Sequence, residues 1–317
     1  MSQYLITGAA GFIGSHLCEA LLAEGHRVVG LDCFIPYYPR AAKETNLTAL
    51  RDREGFSFIE ADLRADPLHE IVADCDAVFH LAAMPGLVKS WSDFQLYSSC
   101  NLEATQRLLD AVRDRNVPHF IHVSTSSVYG REATGPETSE LHPFSPYGIT
   151  KLAAEGLCHA YHANFGVPFT ILRYFSVYGP RQRPDMAYHL LIEALLNGES
   201  FPMHGDGEQT RSNTFVSDCV RATMLAAAHR EAALGRTFNV GGGEVVSLNQ
   251  VVTLLEELTG CTARIERKPP RPGDQKHTQA DITQARERLG YEPTVGVREG
   301  LTAQVEWHRR QRSGGAA

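Results

Sequence analysis

Tyr147 and Lys151, four residues apart, carry the clearest chemistry in this 317-residue chain. They lie in Ser145-Pro146-Tyr147-Gly148-Ile149-Thr150-Lys151, where a serine suited to cap a helix and a proline suited to its first position predict a long helix with Tyr147 in its first turn. Lys151 then shares the tyrosine's face. A phenol titrates near 10 in water, so a tyrosine acts as a base near neutrality only where positive charge lowers it, and Lys151 and the helix N-terminus are placed to do so. Such a base takes a proton from a hydroxyl. Just upstream, Val123 to Gly130 read VSTSSVYG, which presents a row of hydroxyls from Ser124 to Ser127 at the end of a predicted strand. One of them would hydrogen-bond the substrate hydroxyl while its proton moves.

The start of the chain offers a cofactor site. Gly8, Gly11 and Gly14 form TGAAGFIG between a predicted strand at Tyr4 to Ile6 and a predicted helix opening with Phe12 and Ile13. Residues without a Cβ permit a tight turn and let a pyrophosphate approach the helix N-terminus closely. Asp32 ends the second predicted strand about 20 residues beyond the motif, where a carboxylate suits the ribose hydroxyls. It would repel a 2′-phosphate, and no arginine follows before Arg40, so NAD is favoured over NADP. A bound nicotinamide would add positive charge beside Tyr147. Asp62-Leu63 follow the third predicted strand, and Leu81-Ala82-Ala83 the fourth. Ligands of a doubly wound sheet bind beyond the carboxyl ends of its strands, so both stretches are expected to line the cofactor. Asp62 is open to two readings, contact with the adenine or a cap on the helix that follows.

These residues need a scaffold that brings several strand ends together. Apolar runs at 27–31, 56–60, 77–80, 119–123 and 169–172 continue the pattern begun at Tyr4, with candidate helices between most of them. The expected fold is α/β, a Rossmann-type doubly wound parallel sheet with a smaller C-terminal substrate-binding lobe. After Tyr174 come GPRQRPDM, a helical stretch at 188–197, the glycine-rich GDGEQTRSN and a helix starting near Ser217. From Ser247 the chain carries a helix, a PPRPGD break at 269–274 and a final helix near Ile282 to Leu289, before an SGGAA end expected to fray. The expected division assigns 1–173 plus about 214–240 to NAD and about 174–213 plus 241–317 to a nucleotide sugar.

Composition narrows the ligand. The net charge of −7 leaves no basic patch for a nucleic acid or an anionic membrane. No apolar run approaches the roughly 18 residues of a membrane span. The first residues leave no room for a signal peptide, so a cytoplasmic protein is expected. Seven cysteines show neither CxxC spacing nor clustering, so reduced thiols and no metal are expected.

TGAAGFIG, Asp62-Leu63, HLAA, STSSVYG, YxxxK, LRYFSVYGPRQRPDM, TRSNTFVSD and RPGD run nearly end to end. In these the chain resembles the extended short-chain dehydrogenase/reductase family, in its NAD-dependent sugar epimerase and dehydratase branch. The resemblance implies NAD held by Gly8, Gly11, Gly14, Asp32, Asp62 and Lys151, with Thr125 and Tyr147 catalytic. It implies Arg211 and Arg271 on the nucleotide diphosphate, with Ser176 and Asp274 in the substrate-binding segments around them. Many relatives dimerise through a four-helix bundle, which helices near 98–115 and 147–165 would supply here, so a homodimer is expected.

In this branch the residues before VYG select the fate of a 4-keto sugar. Dehydratases place Asp-Glu there and UDP-glucuronate decarboxylases a Glu, whereas this chain has Ser126 and Ser127. With no acid to manage elimination or decarboxylation, the simplest outcome is 4-epimerisation. DCFIPYYPRAAKETNL and GPRQRPDM resemble segments of UDP-glucuronate 4-epimerases, which makes a UDP-sugar, foremost UDP-glucuronate, the expected substrate. Ser124, Ser126 and Arg183 are candidates to hold its C5 carboxylate, since hydroxyls and a guanidinium match that group. Arg183 could instead serve the diphosphate. Relatives often read AGVR or PGVR where this chain has Pro85-Gly86-Leu87-Val88, with Lys89 one place later. A neutral UDP-glucose or UDP-N-acetylglucosamine 4-epimerase, a UDP-glucuronate decarboxylase and a non-catalytic NAD sensor are the alternatives. Intact Tyr147 and Lys151 argue against the sensor.

Overall fold

The computed structural model describes residues 1–314. Seven strands form one sheet in the order Arg236–Val240, Phe169–Tyr174, Phe120–Thr125, Ala77–His80, Gln3–Thr7, Arg27–Asp32, Phe56–Glu60. Every neighbouring pair is parallel. The order reverses between Gln3–Thr7 and Ala77–His80, the switch point beyond whose carboxyl ends a cleft opens. Consecutive residues of a strand face opposite ways. Accordingly Leu5 joins Leu108, Leu109 and Cys158 in one apolar layer, while Ile6 joins Leu17, Leu21 and Val220 in the other.

Six strands lie where the apolar runs predict them. Arg236–Val240 escapes recognition because Asn239 interrupts its apolar run, although it is fully buried and accepts a hydrogen bond from Tyr129 Oη at 2.7 Å. In the smaller lobe, helices Ala187–Asn197, Leu248–Thr259 and Val297–Gly314 pack around Leu191, Leu255 and Leu301. The last of these corrects the expectation of a final helix near Ile282 to Leu289. Helix Thr283–Leu289 is followed by another, whose buried Val297, Leu301 and Val305 recur every fourth residue among arginines that hide them. Of the expected SGGAA end, Ser313 and Gly314 fall within that helix, and 315–317 lie outside the described residues.

The cysteines are unpaired thiols, five of them buried. Among the described residues no helix is long and apolar enough to cross a membrane. One cluster, His189, Glu193 and His308, brings metal-ligand atoms within 4.8 Å of one another. His308 Nδ1 and Arg312 donate to Glu193, which ties Ala187–Asn197 to Val297–Gly314, His189 Nδ1 donates to the Gln182 carbonyl, and His308 Nε2 is buried without a partner.

The helix carrying Tyr147 and Lys151 spans Pro146–Phe165. Ser145 Oγ accepts from the Gly148 amide at 3.1 Å, Pro146 opens the first turn, and Gly166 in the left-handed region (φ 71°) ends the helix. One turn beyond Lys151, the buried Glu155 accepts two hydrogen bonds from the Arg173 guanidinium, at 3.0 and 2.7 Å, and one from Ser124. Arg173 also donates to Tyr129 Oη at 2.9 Å, so one ionic network links the helix to two strands. Removing one partner of a buried pair strands the other charge in a medium that solvates it poorly. Glu155→Leu is expected to lower unfolding stability in urea by about 3 to 5 kcal/mol, and a midpoint shift corresponding to under about 1 kcal/mol would contradict the network's role.

Candidate active site

A cleft of about 400 Å³ opens at the switch point. Its floor is the glycine turn. Gly8 adopts φ 76°, and a Cβ there would stand 2.9 Å from the Ala82 amide nitrogen. A Cβ on Gly14 would stand 2.2 Å from the Gly8 carbonyl oxygen, so the turn cannot close around a larger residue. No side chain caps helix Phe12–Ala23, which leaves its first-turn amides available to an anion. The backbone therefore forms a cradle that any Cβ would fill, of the kind a dinucleotide pyrophosphate requires.

Asp32 sits at the rim, accepting from the Phe34 amide at 2.8 Å and from Lys43 Nζ at 3.3 Å. Lys43 is a cation that sequence patterning misses, because its helix Arg40–Arg51 is mostly polar and is recognisable only once docked. Arg40, the first arginine after Asp32, is turned away and forks onto Glu60. Asp62 lines the cleft, and its carboxylate accepts from the Arg64 amide and guanidinium, which hold it below the ordinary carboxylate value. It thus caps a turn while facing the cleft. Leu63, Leu81, Ala82 and Ala83 complete this side.

Tyr147, Lys151, Thr125 and Ser126 meet on the opposite wall. Lys151 is 3% exposed, and its Nζ rests 3.5 Å from His122 Nε2. Burial holds its pKa down at about 8, against a smaller upward pull from Glu155. His122 and His80 lie far below their ordinary values, also through burial, so neutral His122 accepts from the ammonium. Burial raises Tyr147 above its ordinary value, with Thr125 and the Arg183 charge opposing it but not prevailing. Among the described hydrogen bonds none joins Lys151 to the phenol, so its charge can act on Tyr147 only through space, and the lowering expected from Lys151, the helix end and the nicotinamide together is not reached by the protein's own groups alone.

The serines differ from one another. Ser124 lines the cleft, but its one hydroxyl proton goes to Glu155. It therefore cannot also donate to a sugar carboxylate, which corrects its expected role. Ser126 Oγ donates to Gln275 Oε1 at 3.1 Å, and the Gln275 amide donates to the Ser126 and Gly130 carbonyls. Gln275 follows Asp274 of RPGD directly, an adjacency that could have found it. Glu155, at the i+4 position from Lys151, was open to the same spacing argument. Ser176, Arg183, Arg211 and Asp274 close the sugar end, with Arg211 Nη2 2.7 Å from Asp274 Oδ1. Arg271 alone among the expected residues lies outside this cleft. It is exposed and lines an adjoining one that shares Tyr37, Ser176, Arg211 and Asp274 with the first.

The family described as "NAD dependent epimerase/dehydratase family" matches residues 4–241. An uncharacterised UDP-glucose epimerase, YtcB, of Bacillus subtilis is 44% identical over 308 residues, covering 96% of this chain and 97% of that protein. A UDP-glucuronate 4-epimerase of Thermodesulfobacterium geofontis is 35% identical over 317 residues, covering 98% and 97%. Among solved structures, UDP-glucuronic acid 4-epimerase from Bacillus cereus, in complex with UDP-glucuronic acid and NAD, superposes with a TM-score of 0.95 at 44% identity, covering 98% of this chain and 99% of that one.

The buried ammonium has a stability signature. Because the folded protein releases the Lys151 proton near pH 8 and an unfolded chain near its ordinary value, the unfolded state binds more protons between those values. Stability attributable to this group therefore rises with pH across that window, and the penalty is full below it. Lys151→Met is expected to abolish turnover while gaining on the order of 3 kcal/mol at pH 7 and losing that rise. A variant less stable than wild type at pH 7 in chemical denaturation would contradict the assignment.

Proposed function

The chain belongs to the NAD-dependent epimerase/dehydratase family, and from that footing we propose that it interconverts UDP-glucuronate and UDP-galacturonate by epimerisation at C4. The observation that carries this reading is a guanidinium, Arg183, in the same cleft as Tyr147, with buried serines at 126 and 127 where an acid would be needed for elimination. A carboxylate-bearing sugar is the group a guanidinium there suits.

In this reading NAD, when bound, accepts the C4 hydrogen as hydride and returns it to the sugar. Gly8, Gly11, Gly14 and Asp32 hold the dinucleotide, with Phe12, Ile13, Asp62, Leu63 and the 81–83 stretch around it. The charge of Lys151 favours the Tyr147 phenolate electrostatically, and Tyr147 takes the C4 hydroxyl proton while Thr125 hydrogen-bonds the same oxygen. The resulting 4-keto sugar turns in the cleft, and Tyr147 gives the proton back to the oxygen as hydride returns on the other face. Arg183, with Ser176 nearby, holds the C5 carboxylate close to the plane of the ketone, the orientation in which a β-keto acid resists loss of carbon dioxide, while Ser126, whose hydroxyl proton goes to Gln275, forms the wall beside it. Arg211, Arg271 and Asp274 serve the diphosphate side. We assign NAD to 1–173 plus about 214–240 and the sugar nucleotide to the remainder.

We further propose a cytoplasmic homodimer formed through Pro146–Phe165 and the helices near 98–115. Exposed Ile149 and Phe165 on the first of these support it. The second substrate reading, UDP-glucose, is favoured by the pairing of Arg183 with Asp185 at 3.0 Å, which leaves no bare charge for a neutral sugar to bury.

Proton NMR of UDP-glucuronate incubated with the protein, with UDP-glucose in parallel, tests the assignment. UDP-galacturonate is expected from the wild type, and a UDP-pentose product accompanying it from Arg183→Ala. UDP-galactose alone would move the assignment to the neutral epimerase, and a UDP-pentose from the wild type to a decarboxylase.

A further inference from the structure

Arg183 reaches the sugar end of the cleft with its charge already answered. Its Nε and Nη2 donate to the two oxygens of Asp185, each at 3.0 Å, a side-on fork that uses one N–H from each nitrogen. Three of the five guanidinium N–H groups remain, and one on Nη1 with one on Nη2 forms the end-on edge. That edge has the spacing to meet a second carboxylate bidentately.

Asp185 is itself built in from the far side. Tyr37 Oη donates to its Oδ2 at 3.0 Å, and the Arg183 guanidinium lies over the Tyr37 ring, 5.8 Å from its centroid. Lys89 Nζ lies 5.3 Å from the same ring centroid. Gly86, at φ 89°, leaves room for this arrangement, since a Cβ there would stand 2.4 Å from Tyr37 Oη and 3.7 Å from Asp185 Oδ2. The Asp185 side chain is 35% exposed, and the Arg183 charge and the hydrogen bonds from Arg183 and Tyr37 outweigh what desolvation it suffers and hold its carboxyl below the ordinary value.

We propose that Asp185 is a specificity-determining residue: by pairing with Arg183 it weakens the grip on a uronate carboxylate and makes the same cleft tolerant of a neutral hexose. The inference rests on the reading of Arg183 as the group that meets the C5 substituent. A free guanidinium would attract a sugar carboxylate strongly and would oppose a neutral hydroxymethyl group, because closure would strip water from an unanswered charge. With Asp185 in place, the pair is neutral overall. A uronate then gains the end-on hydrogen bonds with little net charge attraction, and a neutral sugar leaves no bare cation behind. The substrate range is thereby set one residue away from the group that touches the substrate.

The test is the KM for UDP-glucuronate and for UDP-glucose in wild type and Asp185→Asn, which keeps the shape of the side chain and removes its charge. The expected result is a KM for UDP-glucuronate lowered about fivefold, an unchanged or raised KM for UDP-glucose, and little change in kcat for either. Asp185→Glu should restore the wild-type ratio of the two KM values, and Tyr37→Phe, which removes no charge, should leave that ratio unchanged. Asp185→Ser supplies a second neutral side chain should the asparagine variant fold poorly. Wild type active on UDP-glucuronate with an unshifted ratio in both neutral variants would overturn the inference alone. Wild type inert on UDP-glucuronate would bring down the functional reading and this inference with it.

Discussion

A lysine ammonium held out of water is the constraint around which this protein is organised. Lys151 is 3% exposed, and no carboxylate touches it directly among the described ion pairs. Its nearest polar partner is a neutral histidine on the strand beneath it. Such a charge is costly to bury and exerts a strong field because it is buried, since the low dielectric that penalises it also leaves it unscreened. Keeping it in place takes a helix with a well-made N-terminus and a strand packed against its face. Behind it lies the Glu155–Arg173 pair, which stabilises the helix against the sheet and adds a carboxylate field on the side away from Tyr147. The glycine turn serves the same end from across the cleft, because a dinucleotide seated there would bring a second positive charge to the phenol, whose own surroundings push it the wrong way.

A second ion pair, Arg183 with Asp185, sits at the opposite end. In the proposed mechanism one end of the cleft concentrates charge on a proton transfer, while the other spreads it over a neutral pair at the sugar's variable substituent. The serines between them are committed to the fold, Ser126 to Gln275 and Ser124 to Glu155. Stability and chemistry pull apart at Lys151 and pull together at Glu155.

Much of this was legible in the sequence, for identifiable reasons. Tyr147 and Lys151 are spaced by one helical turn and announced by Ser145-Pro146, and the glycines follow directly on an apolar run, so their geometry is local. Asp32, Asp62, the 81–83 stretch and Thr125 converge because strand ends of a parallel sheet must, and the segments carrying Ser176, Arg183, Arg211 and Asp274 return to that edge from the smaller lobe. Lys43, Gln275 and Tyr37 could not be assigned partners in the same way, since each owes its role to a contact between separate elements, and the local pairing of Asp185 with Arg183 becomes visible only once Tyr37 fixes it from the far side. Ser124 misleads for the same reason, its hydroxyl being claimed by a residue 31 positions away. The strand Arg236–Val240 and the helix Val297–Gly314 stayed hidden because buried polar groups, Asn239 and Gln304, stand where an apolar pattern would be sought.

In the proposed mechanism the field of Lys151, joined by the bound cofactor, makes Tyr147 a base near neutrality. Its most direct test is a pH titration of tyrosinate absorbance in the NAD-loaded protein, taken as the difference from Tyr147→Phe. One phenol is expected to ionise well below the ordinary tyrosine value near 10, to be lost in Tyr147→Phe and to be displaced upward in Lys151→Met. A Tyr147 that titrates at or above the ordinary value with NAD bound, or one indifferent to Lys151→Met, would contradict it.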